Sequence, residues 1–163
     1  MQHKRWWIGV LIGVAVLLRS PSAGAVESDP LPAPKGTPRE RAVSAYNEGV
    51  KLMRDKHYAV AQEQFEQALT LDETLAEAHN NLAFSLRMQG THNVEQALQH
   101  YQRAIELKPD LAQAYMYRGV LFTQMGDLAR ARADHAKLLA LDQALAAKLE
   151  RVIAGASERG GYD

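Results

Sequence analysis

Six histidines stand at positions 3, 57, 79, 92, 100 and 135. They are the side chains best suited to bind a metal or move a proton near neutral pH. No two are four residues apart, the spacing at which a helix presents a pair to one zinc ion. His92 and His100 read as surface residues around a turn, and His135 reads as a half-buried imidazole between helices. The adjacent carboxylates Asp72 and Glu73 fall at a helix end, where they read as solvated turn residues and not as a general acid and base. With no cysteine in the chain, a thiol nucleophile, a disulfide and a Cys-ligated metal are excluded. No phosphate-cradling glycine loop, no His-Glu-x-x-His and no Gly-x-Ser-x-Gly occurs. These absences predict a protein that is not an enzyme and takes no metal, cofactor or small-molecule substrate. Nineteen Lys and Arg balance nineteen Asp and Glu over 163 residues. The chain thus lacks the basic excess that a phosphate backbone demands, and no nucleic-acid partner is expected.

The elements that would hold functional side chains begin well inside the chain. His3, Lys4 and Arg5 lead into an uncharged run from Trp6 to Leu18, followed by Arg19, Pro21 and the small triplet Ala23-Gly24-Ala25. A bilayer-spanning helix needs roughly 20 residues, whereas the apolar part of a secretory leader needs roughly 7 to 15. Residues 1–25 are therefore expected to be a signal peptide cut after Ala25, which makes the protein periplasmic or secreted. The alternative is an uncleaved anchor at residues 6–18 in the inner membrane. Losing Lys4, Arg5 and Arg19 would leave 16 basic against 19 acidic side chains. Contact with a membrane is thus expected only if the segment stays.

Five of the six prolines, at 21, 30, 32, 34 and 38, precede residue 40, and residues 26–41 are expected to form a disordered or polyproline-like linker. Beyond it Pro109 stands alone and Ala, Leu, Gln and Glu dominate, the composition of continuous helix. Three segments superimpose on one pattern. The first is Ala45-x2-Glu48-Gly49-x2-Leu52 then Ala61-x3-Phe65-x2-Ala68-Leu69, and the second is His79-x2-Leu82-Ala83-x2-Leu86 then Ala97-x3-Tyr101-x2-Ala104-Ile105. The third is Tyr115-x2-Arg118-Gly119-x2-Phe122 then Ala131-x3-His135-x2-Leu138-Leu139. The small residues recur at Gly49, Ala83 and Gly119 and at Ala61, Ala97 and Ala131, in steps of 34 and 36. Small residues let two helices approach closely, and the large apolar ones fill the next layer.

This pattern resembles the tetratricopeptide repeat family. The resemblance implies an all-α, right-handed solenoid over residues 42–145, in repeats 42–75, 76–111 and 112–145. Helices are expected at about 42–54, 58–71, 76–89, 94–108, 112–125, 128–141 and 144–156. The last reads as a capping helix with Leu145, Leu149, Val152 and Ile153 inward, followed by a flexible tail at 157–163. Ala45, Glu48, Arg118, Glu73 and Gln143 depart from the family's usual residues at their positions. Two extra residues lie in the turn Thr91-His92-Asn93-Val94-Glu95; Asn93 with Gln96 suggests a capping box, and Asp127 suggests an N-cap.

In this family, function lies in a concave groove lined by the first helix of each hairpin. The matching positions are Val43, Tyr46, Asn47, Val50, Met53 and Arg54, then Glu77, Asn80, Asn81, Phe84, Arg87 and Met88. From the third repeat come Gln113, Met116, Tyr117, Val120, Thr123 and Gln124. Amides can bond a peptide backbone of any sequence, while Tyr, Phe and Met offer tolerant apolar contacts. The family's carboxylate-clamp positions hold Tyr46, Val50, Asn81, Gln113 and Tyr117, and only the Asn matches, so a clamp for a C-terminal carboxylate is not expected. The resemblance implies a non-enzymatic module that binds a peptide segment of a partner protein, as an extracytoplasmic adaptor or assembly factor. The alternative is a structural subunit that docks permanently or self-associates through the convex face or the capping helix.

Overall fold

The computed structural model describes residues 35–159, and within them the chain is helical with no strand. The helices are α1 (Pro38–Arg54), α2 (Tyr58–Leu71), α3 (Ala76–Gln89), α4 (Val94–Leu107), α5 (Ala112–Gln124), α6 (Leu128–Leu141) and α7 (Gln143–Arg159), with a 3-10 turn at Thr91–Asn93. The expected leader, its cleavage site, the anchor alternative and the linker up to residue 34 lie outside the described residues, as do residues 160–163. Among the described residues no helix is long and apolar enough to cross a membrane.

The first boundary differs from expectation for a local reason. Thr37 Oγ1 accepts the Glu40 N–H at 3.2 Å while the Glu40 carboxylate accepts the Thr37 N–H at 2.8 Å, and Pro38 occupies the start of the helix. This capping box satisfies donors at the N-terminus of α1, and proline is tolerated there because its missing N–H would have had no partner. Residues 38–41, expected in the linker, are therefore helical. At the other end α7 continues to Arg159, so residues 157–159 of the expected tail are helix as well. The single Gly155 costs about 1 kcal/mol inside a helix and does not stop it. Asp127 caps α6 as expected, accepting from the Arg130 N–H at 3.0 Å. Asn93 does not cap α4; its Nδ2 donates instead to the Leu86 carbonyl at 3.2 Å, supplying a donor near the end of α3.

Helices pair as α1 with α2, α3 with α4 and α5 with α6; each hairpin leans on the next, and α7 closes the row against α5 and α6. The result is a helical solenoid, in which each hairpin buries its apolar face on a neighbour. Phe65, Leu82, Leu86, Tyr101 and Leu121 form one core cluster, and Tyr115, Phe122, Leu138, Leu149 and Ile153 form a second. The recurring small residues mark the tight spots. A β-carbon on Gly49 would lie 2.6 Å from the Phe65 ring, and one on Gly119 would lie 2.5 Å from Leu149 Cδ2. In α7, Leu149, Ile153 and Ala146 are buried while Leu145 and Val152 are partly so, as its amphipathic pattern predicts.

Arg118, anomalous in sequence as a charge at an apolar position, finds its place between hairpins. Its guanidinium holds Asp134 of α6 through two bonds, bonds Gln102 of α4, and lies 5.7 Å from the rings of both Tyr115 and Phe122.

Candidate functional site

The first helices run side by side, α1 touching α3 and α3 touching α5, so side chains one repeat apart come together. Asn81 donates from Nδ2 to the Tyr46 hydroxyl at 3.3 Å and accepts from Asn80 Nδ2 at 3.0 Å. The Phe84 ring sits 5.0 Å from that of Tyr117, with the Arg87 guanidinium 5.2 Å over its face. Tyr58, from α2, meets the edge of Phe84 at 6.1 Å, and Tyr46 packs on Phe65 at 5.9 Å. Val50, Met53, Tyr46 and Tyr117 all lean on the first core cluster. An amide pair flanked by aromatics thus spans α1, α3 and α5.

The remaining positions divide by burial. Asn47, Gln113 and Gln124 are exposed, as are Val43, Arg54 and Met88. Met116 and Val120 pack against the second cluster, nearer to α7. Asn80 is only 5% exposed, with its Oδ1 enclosed and unpaired, so it serves as a support for Asn81 and does not itself face a ligand. Thr123 is buried and donates to the Gly119 carbonyl of its own helix at 2.8 Å, which likewise removes it from the surface.

The charged groups here are Arg87 over Phe84, the exposed Arg54, and one paired carboxylate. Glu77 is tied to Lys108 at 2.7 Å, and that bond holds its carboxyl below the usual glutamate range. Burial, with Glu77 adding to it, pushes the Tyr46 phenol up; at neutral pH the hydroxyl is intact and free to donate as well as accept.

Three features of the neighbourhood were not visible in the sequence. An apolar pocket of about 520 Å3 opens at the ends of α3 and α5, walled by Met88, Val94, Leu121 and Met125 with Arg87 and Gln124 at its polar side. Three of its lining residues, Arg87, Met88 and Gln124, are predicted groove positions, and the two-residue insertion adds Thr91 to one wall. A polar cleft of about 620 Å3 between α1 and α2, lined by Arg41, Glu48 and Gln67 among others, shares none of the predicted groove residues. His79 and His100, 21 residues apart, meet at 2.9 Å; a pair carried on two helices leaves no i,i+4 spacing in the sequence. Among the described residues no group of three or more His, Asp or Glu is placed to hold a metal.

Comparison with known proteins gives the fold its relatives. Residues 93–126, covering α4 and α5, match the family model described as TPR repeat. No curated protein matches the chain. Among solved structures, the second TPR of Spaghetti (RPAP3), bound to the HSP90 peptide SRMEEVD, is 24% identical with a TM-score of 0.60, over 64% of this chain and 94% of that one. The Arabidopsis OM64 TPR domain is 20% identical with a TM-score of 0.67, over 72% of this chain and 98% of that one. The Yersinia enterocolitica type III secretion translocator chaperone SycD is 13% identical with a TM-score of 0.65, over 75% of this chain and 96% of that one. Likeness at these identities establishes a helical solenoid of the tetratricopeptide kind.

Proposed function

We propose that this solenoid, whose residues 93–126 match the tetratricopeptide model, is a non-enzymatic module that holds a peptide segment of a partner protein along α1, α3 and α5. It acts outside the cytoplasm as an adaptor or assembly factor. The observation that carries the reading is the strip Tyr46–Asn81–Phe84–Tyr117, in which amide, hydroxyl and ring faces from three successive first helices adjoin, with the Arg87 guanidinium over Phe84. Two of the similar structures are TPR domains bound to an HSP90 peptide, which supports a peptide as the class of ligand. The matching clamp positions are all uncharged here, so the ligand is read through its backbone and apolar side chains and not through a terminal carboxylate.

The test is a selection from a random dodecapeptide display library on the full chain, repeated with Tyr117→Ala and with the exposed double variant Asn47→Ala/Gln124→Ala. Enriched peptides that lose binding to both variants, at unchanged circular dichroism, support the groove. Peptides bound equally by all three proteins would move the site elsewhere.

The second reading, docking through the outer helices, has one observation in its favour. Leu139 is 54% exposed, Val60 46% and Leu141 39%, on α6 and α2. Self-association that Leu139→Glu abolishes in sedimentation would promote it. Among the described residues α7 exposes no large apolar side chain, so the closing helix itself offers less for such docking.

A further inference from the structure

His79 of α3 and His100 of α4 meet Nδ1 to Nδ1 at 2.9 Å, their rings 5.2 Å apart and 28° from parallel. On the far side of its ring, His79 places Nε2 3.1 Å from the carbonyl oxygen of Glu73 in the turn before α3. A carbonyl only accepts, so that nitrogen carries a proton, and in the neutral ring Nδ1 is then bare. His100 must therefore donate its Nδ1–H across the hairpin. This leaves His100 Nε2 as the bare position of the pair.

The bond has a limited tolerance for protons. A first one fits on His100 Nε2 and leaves the bridge intact. A second must go to His79 Nδ1, where two N–H groups would point at each other across 2.9 Å and two imidazolium charges would share one half-buried site.

We propose that the His79–His100 bridge is an acid-released clasp on the middle hairpin: neutral, it fixes α3 against α4, and doubly protonated it frees α3 and weakens the groove's grip on a peptide. The regulatory half of this statement rests on the groove reading above, and the clasp does not. The coupling is short in the chain, since His79 immediately precedes Asn80 and Asn81 and stands on the helix that also bears Phe84 and Arg87.

The charged surroundings are few. Glu66 on α2 favours a charged His100, Glu73 in the α2–α3 turn favours a charged His79, and Arg103 on α4 opposes charge on His79. Burial is the largest influence on both and holds both imidazoles below the ordinary histidine value. An imidazole freed by opening titrates near about 6.5. The open hairpin therefore binds more protons than the clasped one, and acid favours opening. The clasp is at full strength above about pH 6.5 and is lost as pH falls from there through the lowered values of the folded pair.

The experiment is amide hydrogen exchange on the full chain at about pH 7.5 and about pH 5, corrected for intrinsic rates, with imidazole titration followed by NMR. Protection in α3 and α4 should fall about 10-fold or more relative to that in α1 and α6, and the two imidazoles should titrate as a coupled pair below the ordinary histidine value. In His79→Gln/His100→Gln the fall should vanish. His100→Gln alone, which keeps a donor toward His79 and serves if the double variant is unfolded, should halve the proton uptake. An equal fall in the variants, or two imidazoles titrating independently at the ordinary value, overturns the clasp. A selected peptide that binds equally at both pH values while α3 and α4 lose protection overturns only its coupling to the groove. Failure to select any peptide speaks against the groove and leaves the exchange result to decide the clasp.

Discussion

Arg118 and Asp134 face each other across the third hairpin as a two-pronged pair, Nη2 2.6 Å from Oδ1 and Nε 3.0 Å from Oδ2. Asp134 is 4% exposed in its side chain and Arg118 15%. Burial still pushes the Asp134 carboxyl up, and the guanidinium pulls it only part of the way back. The folded chain thus keeps this proton to higher pH than the unfolded chain does. Asp134's own contribution is accordingly largest below the ordinary aspartate range and declines as pH rises through the raised value.

Arg118→Ala should cost about 3 kcal/mol, because it strands a buried carboxylate. Arg118→Met/Asp134→Leu should recover most of that loss, since well-packed apolar residues replace such a pair at little cost. Urea unfolding of Arg118→Met, Asp134→Leu and the double measures the coupling, and an additive cycle would mean that the pair is not coupled.

Two glycines should differ in how they refuse a side chain. A β-carbon at Gly49 meets the rigid Phe65 ring at 2.6 Å, whereas one at Gly119 meets the terminal carbon of Leu149 at 2.5 Å. Gly49→Ala should therefore destabilise more than Gly119→Ala, and Gly119→Leu should cost on the order of 1 to 3 kcal/mol or more by overpacking. Thermal melting checks the order; an unchanged midpoint for Gly119→Leu would contradict the packing of α5 on α7.

Lys56 has φ of 63°, the only non-glycine with positive φ among the described residues, and Gly126 has 79° at the matching place after α5. Both donate to the carbonyl three residues back, and the next residue reaches five back: Lys56 to Met53 and His57 to Leu52, Gly126 to Thr123 and Asp127 to Phe122. This helix ending favours glycine. Lys56→Gly should stabilise by about 1 kcal/mol, and Gly126→Ala, with open space around the new carbon, should destabilise by a similar amount. Denaturant midpoints decide, and opposite signs are the expected result.

Asn81→Ala removes the partner of Tyr46 and of the buried Asn80, so it should lower stability by about 1 kcal/mol as well as weaken peptide capture. Asn47→Ala, on an exposed side chain, should leave melting unchanged. Binding lost in Asn81→Ala at a temperature where it is fully folded separates the two effects.

The proposed export would leave a covalent record. The protein isolated from its native cell should have Val26 as its first residue, read by intact mass; retention of residues 1–25 would instead support the anchor alternative.

The helices and their hairpin pairing were legible because spacing along one helix is enough to read them. Ala61-x3-Phe65 and its two counterparts repeat on a single face, and Gly49, Ala83 and Gly119 recur in register with them. Burial of Phe65 and Tyr101 follows from that periodicity, as does burial of Ala68, Ala104 and Leu138 three residues further on, while His135 at the third aromatic position is only partly buried. The start of α1 was also written locally, in Thr37-x2-Glu40 with Pro38 between, although the prolines before it have the composition of a linker.

Other relations depend on distances between chain segments that no linear pattern encodes. His79 and His100 lie 21 residues apart and Arg118 and Asp134 lie 16 apart, so neither pair shares a helix face, and each exists only because a hairpin folds back. Asn80 and Asn81 look alike in sequence, yet the packing around α3 buries the first and leaves the second partly exposed. Sequence by itself determined the elements, their order and the faces they bury, since these follow from period and residue size. Tertiary structure alone decided which polar groups meet, because a hydrogen bond is set within a few tenths of an ångström by the crossing of two helices.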